Sequence, residues 1–132
     1  ALKGFNFNNK ALLSSVFFSN YNLDTSTGEI VFPNLNTALD IAPPSGATHV
    51  SLSSAFLNLD FATEEQAIEY SNVVNLPIQN SITSETLTPD SVPVGVGTKF
   101  FLLVIEFFQE INGVQYPLKN GSYNVLNIIE IE

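Results

Sequence analysis

Residues 99–118, KFFLLVIEFFQEINGVQYPL, constrain the fold of this chain more than any other stretch. Asn112-Gly113 between two β-type runs predicts a hairpin, because both residues tolerate the positive φ of a type I′ turn. Side chains alternate along the first arm, so that one face carries Phe101, Leu103, Ile105 and Phe107 and the other carries Phe100, Leu102, Val104 and Phe108. A strand that is apolar on both faces is predicted to lie at the centre of a sheet.

The rest of the chain has the pattern of an all-β domain. Runs of β-branched and aromatic residues alternate with turn-forming stretches, which predicts about eight strands and at most one short helix. Strands joined without long helices favour antiparallel pairing in a two-sheet β-sandwich, Ig-like or jelly-roll-like. At 132 residues the chain has the length of a single domain.

Both ends of the chain are predicted to be extended. Residues 4–8 indicate a short strand, and residues 9–18 fit either a helix capped by Asn9 or a strand, of which we favour the strand. Near the other end, residues 119–122 indicate a tight turn and residues 123–131 a closing strand.

Proline and asparagine shape the expectation for residues 30–41. A strand at residues 30–32 is predicted to end at Pro33, which cannot donate to a ladder. Residues 34–41 fit either a helical turn capped by Asn36 or another brief strand.

The middle of the chain is predicted to contain one distorted strand and its return. The alternation in residues 47–61 changes phase near Ser53-Ser54, which predicts a bulge or a kink there. Residues 63–66 have capping-box spacing, but a turn is favoured, because residues 67–78 then form the returning strand.

The charge balance excludes some partners. Thirteen acidic residues, four lysines and no arginine give a net charge of −9, so phosphate backbones and anionic lipid surfaces would be repelled. Nucleic acid is therefore not an expected partner. The longest apolar run, residues 100–105, is far shorter than the ~20 residues of a membrane-spanning helix.

The first residue is Ala1, and the chain contains no methionine. We therefore expect a fragment of a longer protein or a processed form, and favour the fragment. The low content of charged residues, 13%, is common in secreted β proteins and fits a cell-envelope or secreted protein without fixing the compartment.

No arrangement of residues predicts a catalytic site. His49 is the only histidine, and Ser51 on the same strand face lacks the turn that presents a nucleophilic serine. Glu106 and Glu110 would stand about 13 Å apart on a strand, beyond the roughly 5 to 9.5 Å of glycosidase carboxylates. We therefore expect a protein that is not an enzyme.

Metal and cofactor sites are not predicted either. The sequence has no cysteine, which excludes thiolate ligands. Residues 24–29, DTSTGE, alternate oxygen-bearing side chains as calcium loops do, but they lack the spacing of an EF-hand and fit an ordinary turn. Asn120-Gly121-Ser122 matches a glycosylation acceptor, and a tight turn explains it equally well.

The second face of the central strand is the feature that points to function. Phe100, Leu102, Val104 and Phe108 form a face too apolar to be left in water. We expect it to be covered by loops of the second sheet, by another domain of the parent chain or by a homo-oligomer partner. The sequence therefore favours a non-catalytic structural or interaction module.

Carbohydrate binding is the alternative. Small β-sandwiches often bind sugars, and tyrosine rings can stack on them. The chain has no tryptophan, so the candidates are Tyr21, Tyr70, Tyr116 and Tyr123.

Two stretches carry a resemblance to a known group of proteins. They are residues 42–49, APPSGATH, and residues 105–124, IEFFQEINGVQYPLKNGSYN. Together they resemble the C-terminal region of uncharacterised proteins from Bacteroidetes, in particular flavobacteria, in which a longer N-terminal part precedes this region. The resemblance implies a bacterial source and a truncated parent, and it implies no activity.

Overall fold

The computed structural model describes Phe17, residues 20–118 and residues 124–132. These residues contain nine strands and no helix. The strands are β1 (Asn22–Leu23), β2 (Ile30–Asn36), β3 (His49–Leu59), β4 (Gln66–Tyr70), β5 (Val74–Pro77), β6 (Ile82–Leu87), β7 (Thr98–Ile111), β8 (Val114–Pro117) and β9 (Val125–Ile131).

The strands form two antiparallel sheets, as predicted for a β-sandwich. The smaller sheet has the order β1-β2-β6. At the centre of the larger, six-stranded sheet, β3 pairs along its whole length with residues 98–108 of β7. The two short strands β4 and β5 follow each other along the free side of β3, and β8 and β9 do the same along β7.

The predicted hairpin is confirmed and central. Asn112 and Gly113 have φ angles of 53° and 79°, the positive values that the type I′ turn needs. The strand β7 is the longest, with 14 residues, and it pairs with β3, β8 and β9. The strand β7 therefore has paired neighbours on both of its edges, as predicted for a central strand.

The core lies between the two sheets. From the larger sheet, one face of β7 points inward, and the smaller sheet contributes Ile30, Phe32 and Leu35 of β2. All of these side chains are almost completely buried. The inward residues of β7 are the predicted face, Phe101, Leu103, Ile105 and Phe107.

The prediction that the second strand ends at Pro33 is wrong. The strand β2 continues to Asn36, and its register with β6 shifts between Phe32 and Leu35. A proline fits at such an irregularity, because no ladder bond from its nitrogen is required there. Each of the two alternatives for residues 34–41 holds in part: residues 34–36 are strand, and a turn follows in which Asn36 Oδ1 accepts hydrogen bonds from the N–H groups of Ala38 (3.0 Å) and Leu39 (3.2 Å).

The predicted bulge near Ser53-Ser54 is also wrong. The strand β3 pairs with β7 without any shift. The interruption lies in the neighbouring strand, because β4 ends at Tyr70 and β5 begins at Val74, so the predicted single returning strand is two strands. The apparent change of phase arises because the polar Asn58 faces the core and the apolar Leu57 faces away from it, which is the reverse of the usual pattern.

The turn between β3 and β4 is confirmed. Asp60 Oδ1 accepts hydrogen bonds from the N–H groups of Ala62 (2.9 Å) and Thr63 (3.3 Å), which makes a turn instead of a capped helix.

The terminal expectations lie mostly outside the described residues. The strand at 4–8, the turn at 119–122 and Tyr123 fall there, as does all of 9–18 except Phe17. Phe17 forms a bridge with Ile41 and packs edge-on against Phe32 at 5.6 Å between ring centroids.

The larger sheet curls strongly. Asn75 of β5 and Gln115 of β8 exchange two side-chain hydrogen bonds, each 2.9 Å long. Strands β3 and β7 lie between them, and three strand spacings in a flat sheet amount to about 14 Å. The direct contact therefore requires both margins of the sheet to bend towards each other over its outer side.

We expect this amide pair to couple the two margins energetically. A double-mutant cycle with Asn75→Ala and Gln115→Ala should give a coupling free energy of about 1 kcal/mol in urea unfolding. A matched cycle of Asn75→Ala with Gln109→Ala, whose side chain points to the opposite face, should give about zero within error. Equal coupling free energies in both cycles would contradict the direct contact between Asn75 and Gln115 from which the curl of the sheet is inferred.

Candidate interaction surface

The four residues predicted to form an interaction face lie on the side of the larger sheet that points away from the core. We call this side the outer face. Residues opposite each other in a ladder share a face, so Phe100 lies beside Leu57 of β3 and Ile131 of β9. The apolar members of the outer face include Ala55, Leu57, Leu59, Ile68, Tyr70, Phe100, Leu102, Val104, Phe108, Leu126, Ile128 and Ile131.

Burial differs among the four predicted residues. Phe100 is only 4% exposed, whereas Leu102, Val104 and Phe108 are half-buried. Phe100 is therefore packed by its neighbours, and the other three present apolar surface at the centre of the outer face.

The exposed part of this surface, formed by β4 and Phe61, was not predicted from the sequence. Phe61 and Tyr70 are 65% and 62% exposed, and Ile68 is also exposed. The rings of Phe61 and Phe100 are 6.1 Å apart and nearly perpendicular. The alternation of Gln66, Ile68 and Tyr70 with Ala67 and Glu69 was the available signal.

Polar residues occupy the other end of the outer face. Ser51 Oγ accepts a hydrogen bond from Asn75 (2.9 Å) beside Glu106. His49 is half-buried opposite Phe108, with its Nδ1 3.0 Å from Thr48 Oγ1. Among the described residues, no carboxylate bonds to His49, so the contacts of this histidine are those of an ordinary strand residue.

The tyrosines proposed for sugar stacking are not brought together. Tyr21 packs against Phe17 and Phe32, with ring centroids 6.5 Å and 6.2 Å apart. Tyr70 lies on the outer face, whereas Tyr116, opposite Gln109, lies on the other face of the same sheet. Since Tyr123 is outside the described residues, Tyr70 is the described tyrosine that the outer face offers to a ligand.

The loop considered for calcium is a turn stabilised by its own hydrogen bonds. Asp24 Oδ1 accepts from the Ser26 hydroxyl (2.5 Å) and from the Ser26 N–H (2.9 Å). These bonds, the hydroxyl bond first, lower the pKa of Asp24. In the described part of the chain, no group of three or more His, Asp or Glu residues could hold a metal ion.

A second surface feature lies at the end of β3. Asn58 is 4% exposed, and its amide holds residues 91–97, which we call the valine loop. Asn58 Oδ1 accepts from the Gly97 N–H (2.9 Å), and Asn58 Nδ2 donates to the Gly95 carbonyl (3.1 Å). A Cβ atom on Gly97 would lie 2.3 Å from the Leu59 carbonyl oxygen, so only glycine permits this close approach.

Comparisons with known proteins do not assign this surface. No protein-family model, curated protein or solved structure matches the chain. The resemblance to flavobacterial proteins therefore stays a prediction. The described ranges contain no helix that is long and apolar enough to cross a membrane.

Proposed function

We propose that the chain is a non-catalytic β-sandwich module with a structural or interaction role, and that it binds another polypeptide through the outer face. The observation that carries this proposal is the set of half-buried apolar side chains on that face, Leu102, Val104 and Phe108, with exposed Phe61 and Tyr70 at its margin. Contiguous apolar surface of this kind is characteristic of interaction sites.

The chemistry of the outer face supports binding over catalysis. Its polar residues, such as Ser51 and Asn75, bond to each other, and His49 bonds to its neighbour Thr48. A partner that covers the apolar centre would gain the free energy of burying it, about 25 cal/mol per Å². Another domain of the parent chain or a second copy of this chain would both supply such a cover.

Sedimentation of the isolated chain tests this proposal. Without its partner, the wild-type chain should self-associate as its concentration rises, because the apolar centre is left in water. The variant Leu102→Thr/Val104→Thr should be monomeric at the same concentrations, because its dissociation constant for self-association should be about tenfold or more above that of the wild type. Threonine is β-branched and common in strands, so β7 should tolerate both substitutions.

The matched control changes apolar residues away from the outer face. Ile111→Thr/Val114→Thr, at the hairpin tip, alters two exposed apolar side chains, and this variant should self-associate as the wild type does. A wild-type chain that stays monomeric and binds no hydrophobic dye would contradict the proposal. Retention on a polysaccharide gel that Tyr70→Ala abolishes would instead favour carbohydrate binding.

A further inference from the structure

We propose that the pocket between β4 and the valine loop binds a lysine or arginine side chain of an extended partner polypeptide, which pairs with the free margin of β4. This inference rests on the proposed interaction role and names the chemistry of the partner. The pocket lies on the inward side of β4, whereas the outer face lies on the other side of the same strand.

The pocket is built by the hydrogen bonds of Asn58. Because both ends of its amide are bonded to the valine loop, the loop is fixed opposite β4 and leaves a cavity of about 440 Å³. This volume is within the range of about 300 to 1,000 Å³ that is usual for ligand sites. The cavity is lined by Asn58, Asp60, Glu65, Gln66, Ala67, Val94, Gly95 and Val96.

The walls of the pocket fit a long cationic side chain. Val94 and Val96, both highly exposed, give apolar contact for an alkyl stem, and Asp60 and Glu65 give negative charge for its end. One oxygen of Asp60 bonds to its own turn. Among the described residues, neither Asp60 nor Glu65 forms an ion pair.

The charge of the described residues around the pocket is mostly negative. The described residues include all thirteen acidic side chains of the chain but only one lysine, Lys99. Lys99 lies opposite Asn58 in the ladder, does not line the pocket and pairs with neither carboxylate. Glu64 and Glu69 add two further carboxylates close to Glu65 along the chain, so the field here attracts a cation.

The margin of β4 beside the pocket has backbone groups without a strand partner. The Asp60 N–H donates to the Glu65 carbonyl (2.9 Å), so the backbone groups of Glu65 point towards the preceding strand. Backbone groups that point towards and away from the partner strand alternate along an antiparallel strand. The N–H and C=O groups of Gln66, Ile68 and Tyr70 therefore point away from β3. The Tyr70 carbonyl accepts from Asp90 (3.2 Å), while no described strand pairs with Gln66 or Ile68 on that side.

Together these features specify the partner. An extended segment paired with Gln66 and Ile68 would point alternate side chains to opposite faces. One side chain would enter the acidic pocket, and the next would meet the exposed Phe61, Ile68 and Tyr70 on the outer face. The matching segment alternates basic and apolar residues, and strand addition of this type is a common mode of peptide recognition.

Binding of a designed peptide tests the inference. The probe is a peptide of about ten residues that alternates lysine and valine, a usual strand length, titrated into the full chain by calorimetry. Asp60→Asn/Glu65→Gln should raise its dissociation constant by about tenfold or more, because both variants keep the side-chain shape and remove charge. Ile68→Pro should also weaken binding, because proline lacks the N–H that in Ile68 points away from β3 and would pair with the peptide.

Three controls make the result decisive. Glu110→Gln removes an exposed carboxylate at the far end of β7 and should change affinity by less than about twofold. A peptide of alternating glutamate and valine should not bind, and N-acetyl-lysine amide should bind far more weakly than the lysine peptide. Equal effects of Glu110→Gln and of the pocket variant, or equal binding of both peptides, would overturn the inference.

The two proposals can fail separately. If the lysine peptide does not bind while Leu102→Thr/Val104→Thr still abolishes self-association, the pocket assignment is wrong and the outer-face role stands. If the peptide binds and the outer-face variant behaves as the wild type, the outer-face role is wrong.

Discussion

Replacing Phe107 with alanine is expected to lower the free energy of unfolding by about 3 to 5 kcal/mol. Phe107 is 1% exposed and belongs to the core cluster between the two sheets. The substitution removes the burial free energy of the ring and leaves a cavity that the surrounding strands can fill only partly. Urea unfolding followed by tyrosine fluorescence measures the change.

The control for this variant is on the same strand. Ile111 is 51% exposed, and Ile111→Ala should cost less than about 1 kcal/mol. A loss below that value for Phe107→Ala would mean that the core has been misplaced.

The second large effect is expected at Asn58, where Asn58→Asp should lower the free energy of unfolding by about 3 kcal/mol near neutral pH. The new carboxylate can still accept from the Gly97 N–H, but it cannot donate to the Gly95 carbonyl, which would face a negative charge. It would also be almost fully buried, since Asn58 is 4% exposed.

This loss should depend on pH in a defined direction. Burial raises the pKa of the new carboxyl group in the folded state above its unfolded value of about 3.9. The folded variant then binds more protons than the unfolded one, so stability falls as pH rises between the two pKa values. Relative to wild type, the variant should therefore lose more stability at about pH 8 than at about pH 5.5 in urea unfolding.

An exposed asparagine separates burial from charge alone. Asn22, on β1, is exposed, and Asn22→Asp should change stability by less than about 0.5 kcal/mol at both pH values. If Asn58→Asp behaves in the same way, the asparagine does not hold the valine loop.

Much of the fold could be predicted from local sequence. The turn at Asn112-Gly113 follows from two residues that accept positive φ, and the inward face of β7 follows from the alternation of side chains, because the face from Phe101 to Phe107 is apolar throughout. These signals need no knowledge of distant contacts, because turn chemistry and side-chain alternation are local properties.

Other features depend on contacts between segments that are distant in sequence. The polarity of Asn58 suggests an outward position, but the valine loop, 37 residues later, satisfies its amide inside the protein. Likewise, Leu57 is apolar and yet points outward, because Phe100 and Ile68 lie beside it. Alternation within one strand carries no information about the partner that satisfies a buried polar group or covers an outward apolar one.

The candidate site was predicted in part for the same reason. The sequence placed Phe100, Leu102, Val104 and Phe108 on one face, which the ladder partners of β7 bear out geometrically. The pocket at Asn58 could not be predicted, because its walls come from β3, β4 and the valine loop.

The division of one sheet margin into β4 and β5 limits how far copies of this protein could stack. Continuous fibrils grow from long, uninterrupted strand margins to which chain after chain can be added. Here the margin along β3 is broken after Tyr70, so a strand added beside Gln66 and Ile68 could not continue along the whole margin. The break therefore opposes fibril growth from this margin.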